Sequence, residues 1–237
     1  MKTIIVLLAL FALSALSQKC PATAKDILGP YYQPGAPVRD NIVCTNTPAS
    51  DRLYVTGQLT DTNCRPIPHA TLDIWHADER GEYSPGASGK NFQCRSKLTT
   101  DENGNYKFLT IFPGRYDDDG YRPAHIHFTI TGEKSPVKFD TFTTQLYFNK
   151  DYYLHPRDSC KRCGSGHASL VADVVHLDDI KTYVGKWDIH LNTTSSANDF
   201  QVEDASGNYR EAKDNIMPKD DLITRLMKQI IELRKRQ

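Results

Sequence analysis

The chain has 237 residues, with 29 Lys and Arg against 29 Asp and Glu, so its formal net charge at pH 7 is zero. That balance leaves no electrostatic footprint for nucleic acid, and beyond residue 17 no apolar stretch is long enough to span a membrane as a helix. The length suits one all-β domain or two small ones and suffices for a sizeable core.

The first segment, 1–17, has Lys2, an apolar run from Ile4 to Ala12, and the small residues Ala15 and Ser17. This is the layout of a secretory signal, with cleavage expected after Ser17 and a secreted, extracellular protein as the consequence. All six cysteines (Cys20, Cys44, Cys64, Cys94, Cys160 and Cys163) follow that point. An even count in an oxidising compartment reads as up to three disulfides whose connectivity the sequence does not give, and a structural role is expected for the Cys160-x-x-Cys163 pair as well. Residues 18–50 are rich in Pro and Gly and read as an extended lead-in.

From Leu53 onward, short strand-like runs alternate with turn signals. Leu53–Leu59 alternates, Thr60-Asp61-Thr62-Asn63 turns, and Ala70–Trp75 alternates again. Asp101-Glu102-Asn103-Gly104 turns into a strand from Tyr106 to Phe112, followed by Ala124–Thr131, Phe139–Phe148 and Thr182–Leu191. The expected fold is all-β, an antiparallel β-sandwich core with long loops spanning 51–195. The last segment, 196–237, carries Leu222, Ile223, Leu226, Met227, Ile230 and Leu233 at helical spacing after Pro218, which predicts a C-terminal α-helix packed on its own sandwich. Asn192-Thr193-Thr194 is an N-glycosylation sequon, making Asn192 a candidate glycan site.

The chemistry-bearing signal is His125-Ile126-His127. Residues two apart in a strand share a face, so both imidazoles can reach one point, but imidazole alone names no metal. Tyr116 lies nine residues earlier, in Pro113-Gly114-Arg115-Tyr116, and Tyr83 follows the Asp73-Ile74-Trp75 strand. A phenol titrates near pH 10, so a phenolate at neutral pH requires a strong neighbouring cation. Two tyrosinates and two histidines would suit ferric rather than ferrous iron. His69, His76, His155, His167, His176 and His190 lack a second ligand at matching spacing and read as structural or surface residues, and Asp117-Asp118-Asp119 reads as a solvated loop.

Leu28-Gly29-Pro30-Tyr31-Tyr32, Leu72-Asp73-Ile74-Trp75 through Tyr83, Pro113-Gly114-Arg115-Tyr116 and Arg122-Pro123-Ala124-His125-Ile126-His127-Phe128 resemble, in that order, segments of the intradiol ring-cleavage dioxygenases. Protocatechuate 3,4-dioxygenase and catechol 1,2-dioxygenase are the familiar members, and the chain looks closest to secreted, single-domain relatives. The resemblance implies non-haem Fe(III) held by Tyr83, Tyr116, His125 and His127. It implies Arg122 beside the substrate ring, Gln145 as a second polar group, Tyr116 as a catalytic ligand that takes a proton, and Gly29, Pro30 and Tyr31 as a pocket wall. The substrates implied are a catechol-type ring and dioxygen, giving a muconate-type diacid.

The segment between Tyr116 and Arg122 is short and acidic compared with protocatechuate enzymes, which weakens any expectation of carboxylate recognition. Nothing resembles the helical linker on which bacterial catechol enzymes dimerise, so a monomer is expected. Two other readings compete: a secreted cupin-like metalloprotein, which also uses His-x-His, and a non-catalytic transthyretin-like sandwich module, supported by Val55-Thr56-Gly57-Gln58 and Pro66-Ile67-Pro68-His69-Ala70.

Overall fold

The computed structural model describes residues 19–42, 44, 51–84 and 92–194, and the backbone of two short paired strands, Val202–Glu203 and Tyr209–Arg210. The expected signal segment and C-terminal helix lie outside the described residues. Among the described residues no helix is long and apolar enough to cross a membrane.

Two five-stranded sheets face one another. The first contains β1 (Arg52–Asp61), β4 (Asn105–Ile111), β10 (Val174–Leu177), β11 (Thr182–Lys186) and β12 (Ile189–Leu191). Its order is β10-β11-β1-β12, with β4 on the other side of β1. The second runs β3-β2-β7-β8-β9, where β2 is Thr71–His76, β3 Arg95–Thr99, β7 His125–Thr131, β8 Phe142–Phe148 and β9 Val171–Ala172. A two-stranded hairpin, β5 (Tyr116–Asp117) with β6 (Tyr121–Arg122), stands between β4 and β7 in the chain.

The all-β sandwich follows the alternation in the sequence, with differences in detail. β1 continues through Thr60 and Asp61, because Asp61 is buried and its carboxylate accepts hydrogen bonds from the Asn63 and Arg65 backbone amides and from the Arg65 guanidinium. The stretch 182–191 is two strands rather than one, and β8 starts at Phe142 rather than Phe139. Most pairings are antiparallel, but β11 and β12 run parallel to β1, and β9 runs parallel to β8. β3 escapes the hydrophobic pattern because it reads Arg-Ser-Lys-Leu-Thr, with Arg95 and Ser96 fully buried.

The core lies between the sheets. Leu72, Ile74, Ile126, Phe128, Ile130, Leu146 and Phe148 from one sheet meet Leu53, Val55, Leu59, Phe108 and Ile189 from the other. Each residue of this kind stabilises the fold by roughly 1.5–3 kcal/mol relative to exposure. Three disulfides close among the described residues, Cys20–Cys64, Cys44–Cys94 and Cys160–Cys163.

Candidate metal centre

The alternation that sends Ile126 and Phe128 inward turns His125 and His127 to the opposite face of the same sheet. Register extends that face sideways. Trp75 of β2 and Gln145 of β8 flank His127, and Tyr147 of β8 lies opposite His125. The Trp75 and His127 rings stack with centroids 4.8 Å apart and planes 7° from parallel.

A sheet face carrying histidines needs a cover, and the lead-in supplies it. The Asp26 amide donates to the Thr143 carbonyl, the Gln145 amide Nε2 donates to the Ile27 carbonyl at 2.9 Å, and Tyr32 donates to Asp73. Gly29 has φ +72°, and a Cβ there would sit 3.2 Å from His127 Cε1, so this backbone rests directly on the imidazole. Arg95, fully buried, donates to the Tyr31 carbonyl at 2.6 Å and to Ser84 Oγ at 3.0 Å, tying the lead-in to the loop that carries Tyr83.

The loops bearing Tyr83 and Tyr116 are pressed together through two glycines. A Cβ on Gly81 would fall 2.0 Å from the Arg115 carbonyl oxygen, and one on Gly114 would fall 2.4 Å from that of Glu79. Gly81 also has φ +85°, a region that other residues rarely occupy. The Asp78 carbonyl accepts from both glycine amides, which fastens one loop to the other.

These supports bring the four expected ligands together. Tyr83 Oη lies 3.1 Å from His125 Nε2 and 3.1 Å from His127 Nε2. The Tyr116 ring is 5.5 Å from the Tyr83 ring and 5.7 Å from the His125 ring, centroid to centroid. Along β5 and β6, Tyr116 pairs with Arg122 and Asp117 with Tyr121. Arg122 is buried whereas Tyr121 is 47% exposed, so Tyr116, not Tyr121, is the hairpin tyrosine in the cluster. Tyr31 stacks on Tyr83 with centroids 4.2 Å apart and meets the Tyr116 ring edge-on at 6.0 Å.

Burial keeps all four side chains in their neutral forms. Burial pushes both Tyr83 and Tyr116 above the ordinary phenol value, with nearby Arg122 opposing the rise in each case. Burial, with Arg122 nearby, depresses His125 to about 3, and burial with the neighbouring His125 depresses His127 well below its ordinary value. The His125 Nδ1 hydrogen is given to the Pro123 carbonyl at 2.7 Å, which leaves the Nε2 lone pair facing Tyr83. The Tyr83 hydroxyl therefore stands between two imidazole nitrogens, within hydrogen-bond reach of both. His127 Nδ1 has no hydrogen-bond partner. Neutral imidazoles with phenols that need a strong field to ionise form a donor set that a metal cation can draw on.

Arg122 is 2% exposed. Its Nε donates to Asp158 Oδ1 at 3.2 Å, and one terminal nitrogen donates to Tyr147 Oη at 3.0 Å and Gln145 Oε1 at 3.3 Å. The other terminal nitrogen lies 3.4 Å from His125 Nε2, and the guanidinium also hydrogen-bonds Tyr116. Asp158 and Tyr147 cancel the effect of burial and hold the guanidinium above its ordinary value, so it stays charged. Gln145 is fully buried with its amide used by Ile27, Arg122 and Tyr147, so it orients the arginine.

Sequence reasoning passed over Trp75, Tyr147, Asp26, Arg95 and Asp158. Trp75 and Tyr147 could have been found by extending the His-x-His face into the neighbouring strands. A second group within metal-binding distance, Cys44, Cys94 and His76, is not a metal site, since the cysteines are disulfide-bonded. His76 Nδ1 donates to the Ala77 carbonyl and its Nε2 meets Thr110 Oγ1, as befits a structural histidine.

With this geometry established, the comparisons with known proteins are specific. The sequence model of a family described as Dioxygenase matches residues 27–193. Catechol 1,2-dioxygenase of Candida albicans is 30% identical over 217 residues, covering 78% of this chain and 67% of that protein. Chlorocatechol 1,2-dioxygenase of Rhodococcus opacus is 32% identical over 183 residues, covering 66% of each. The chain spans between about half and two thirds of the length of the curated relatives it matches. Among solved structures, the dioxygenase domain of a dioxygenase and carbohydrate-binding protein fusion from Streptomyces sp. SirexAA-E superimposes with a TM-score of 0.60 at 28% identity, over 73% of this chain and 99% of that one.

Proposed function

The chain belongs to the intradiol ring-cleavage dioxygenase family, and from that premise we propose that it is a secreted non-haem Fe(III) enzyme opening catechol-type rings between their two hydroxyls with dioxygen. Family membership sets aside the cupin-like and transthyretin-like alternatives. The observation that carries the reading is the convergence of His125 Nε2 and His127 Nε2 on one phenolic oxygen, with Tyr116 alongside.

Ferric iron held by Tyr83, Tyr116, His125 and His127 would supply the field that ionises the phenols and activates a bound catecholate. The protein's share is orientation, proton handling and exclusion of water. Tyr116 Oη, half-buried beside Arg122, takes one catechol proton. Tyr83 is packed under Tyr31 and remains a fixed anion. The terminal nitrogen of Arg122 beside His125 stabilises negative charge developing on the ring, an effect typically worth about 3–4 kcal/mol for a preorganised donor. Gly29, Pro30 and Tyr31 form the wall against which the ring lies.

Product analysis tests the reading. Iron-loaded protein should consume dioxygen and catechol one to one and give a muconate-type diacid carrying both oxygen atoms. Catechol left intact, or opened outside the two hydroxyls, contradicts it. Secretion is supported by the three disulfides, and the exposed Asn192 suits a glycan. Secreted material should begin at Gln18, elute as a monomer and shift in mobility after endoglycosidase. Retention of residues 1–17 would remove the secretory part of the proposal.

A further inference from the structure

Asp158 is separated from Arg122 by 36 residues, yet each side chain is only 2% exposed and the two form an ion pair. Asp158 Oδ1 lies 3.2 Å from Arg122 Nε, and Oδ2 lies 3.5 Å from the terminal nitrogen that also serves Tyr147 and Gln145. One edge of the planar guanidinium is thereby consumed, leaving the other terminal nitrogen 3.4 Å from His125 Nε2. A guanidinium has a rigid fork of donors, so fixing one edge fixes the direction of the remaining one.

Asp158 is itself fixed from several sides. Oδ1 also accepts the Cys160 amide at 2.9 Å, and the Lys161 ammonium donates to the Asp158 carbonyl. The Ser159 amide donates to the Tyr121 carbonyl on the same hairpin strand that carries Arg122. Cys160 and Cys163 close the turn covalently, and the following Gly164 amide donates to Asp26 Oδ2, which also accepts from Tyr147 Oη. Asp26, Tyr147, Arg122 and Asp158 thus form one continuous network running from the lead-in to the disulfide turn.

We propose that Asp158 is a positioning residue for the reaction: held by the Cys160–Cys163 turn, it aims the terminal nitrogen of Arg122 that lies beside His125 at the bound ring. The proposal rests on the ring-cleavage reading of the site. It distinguishes Asp158 from a merely structural counter-ion, because an aiming role predicts loss in the chemical step with the metal and its ligands unchanged.

The test uses iron-loaded Asp158→Asn, which keeps the shape and acceptor oxygen but removes the charge. Iron content and the visible tyrosinate band should match those of the parent, KM for catechol should stay within about twofold, and kcat should fall by about 10–100-fold, the range for partners one layer behind a reactive group. In an Arg122→Lys background the same substitution should cost little more, since the group it aims has gone. Full kcat in Asp158→Asn, or an undiminished loss in the Arg122→Lys background, overturns the proposal.

A second readout does not depend on activity. The Arg122 Nε–H resonance, identified by its loss in Arg122→Lys, should exchange slowly in the parent protein and at least tenfold faster in Asp158→Asn. Rapid exchange in the parent itself overturns the proposal even where the variant does not fold. If the parent protein cleaves no catechol but shows the protected resonance, the ring-cleavage reading fails while the arginine clamp stands.

Discussion

The two faces of the β3-β2-β7-β8-β9 sheet are made by alternate residues of the same strands and do opposite things. Inward, Ile74, Ile126, Phe128, Leu146 and Phe148 pack against the second sheet and carry no chemistry. Outward, Trp75, His125, His127, Gln145 and Tyr147 form a polar cluster that the lead-in and three loops must roof. The inner face stabilises the fold by burying apolar area, whereas the outer face holds desolvated bases at a cost to stability. Stability and function are therefore separable by parity along a single strand.

The largest separation should come from neighbouring residues on β7. His127→Ala is expected to remove iron binding and ring cleavage beyond the ~10–100-fold loss typical of partners one layer out, with little change in unfolding of the metal-free protein. Phe128→Ala, one residue on, should cost about 3–5 kcal/mol of stability while the folded fraction keeps its iron and colour. Denaturant titration and metal analysis of both variants read the contrast. A destabilised His127→Ala, or a colourless but stable Phe128→Ala, would break the parity argument.

Gly81→Ala sharpens it from the roof. With φ +85° and a Cβ 2.0 Å from the Arg115 carbonyl, alanine must push the Tyr83 and Tyr116 loops apart. Iron affinity should fall by about 10–100-fold with the sandwich intact by circular dichroism, and unchanged affinity would mean that the loops yield elsewhere.

The last effect is electrostatic and is shared by the two faces. Burial depresses outward His125 to about 3 and inward His76 to about 4. Each stays neutral in the fold but takes a proton in the unfolded chain below about pH 6.5. The stability each contributes is present above that value and is lost as pH falls toward the depressed folded one. The metal-free protein should lose up to about 1.4 kcal/mol per pH unit per histidine over that interval. His125→Gln should flatten the slope, measurable by urea titration at pH 7 and pH 5, and equal slopes would remove His125 from the accounting.

The same parity explains what could be read in advance. Alternation made β1, β2, β4, β7 and β8 legible, and His125-Ile126-His127 announced a shared outward face. β3 was hidden because two of its three buried side chains are Arg95 and Ser96, apolar in neither pattern nor chemistry, with Arg95 Nε and one terminal nitrogen bonded to the Tyr83 loop and the lead-in. Tyr83 and Tyr116 sit where no periodicity operates, so they were legible through motif resemblance rather than through spacing. Asp158 and Asp26 were illegible, since their meaning lies in contacts across 36 and 121 residues with Arg122 and Tyr147. The parallel pairing of β11 and β12 with β1 is likewise a property of chain path, with no local signal.

The visible spectrum of the iron-loaded protein, before and after anaerobic catechol, tests the four-ligand centre most directly. A broad tyrosinate-to-iron band that shifts with catechol and changes in both Tyr83→Phe and Tyr116→Phe is the expected result. A fully iron-loaded protein without colour, or with a spectrum indifferent to both substitutions, contradicts it.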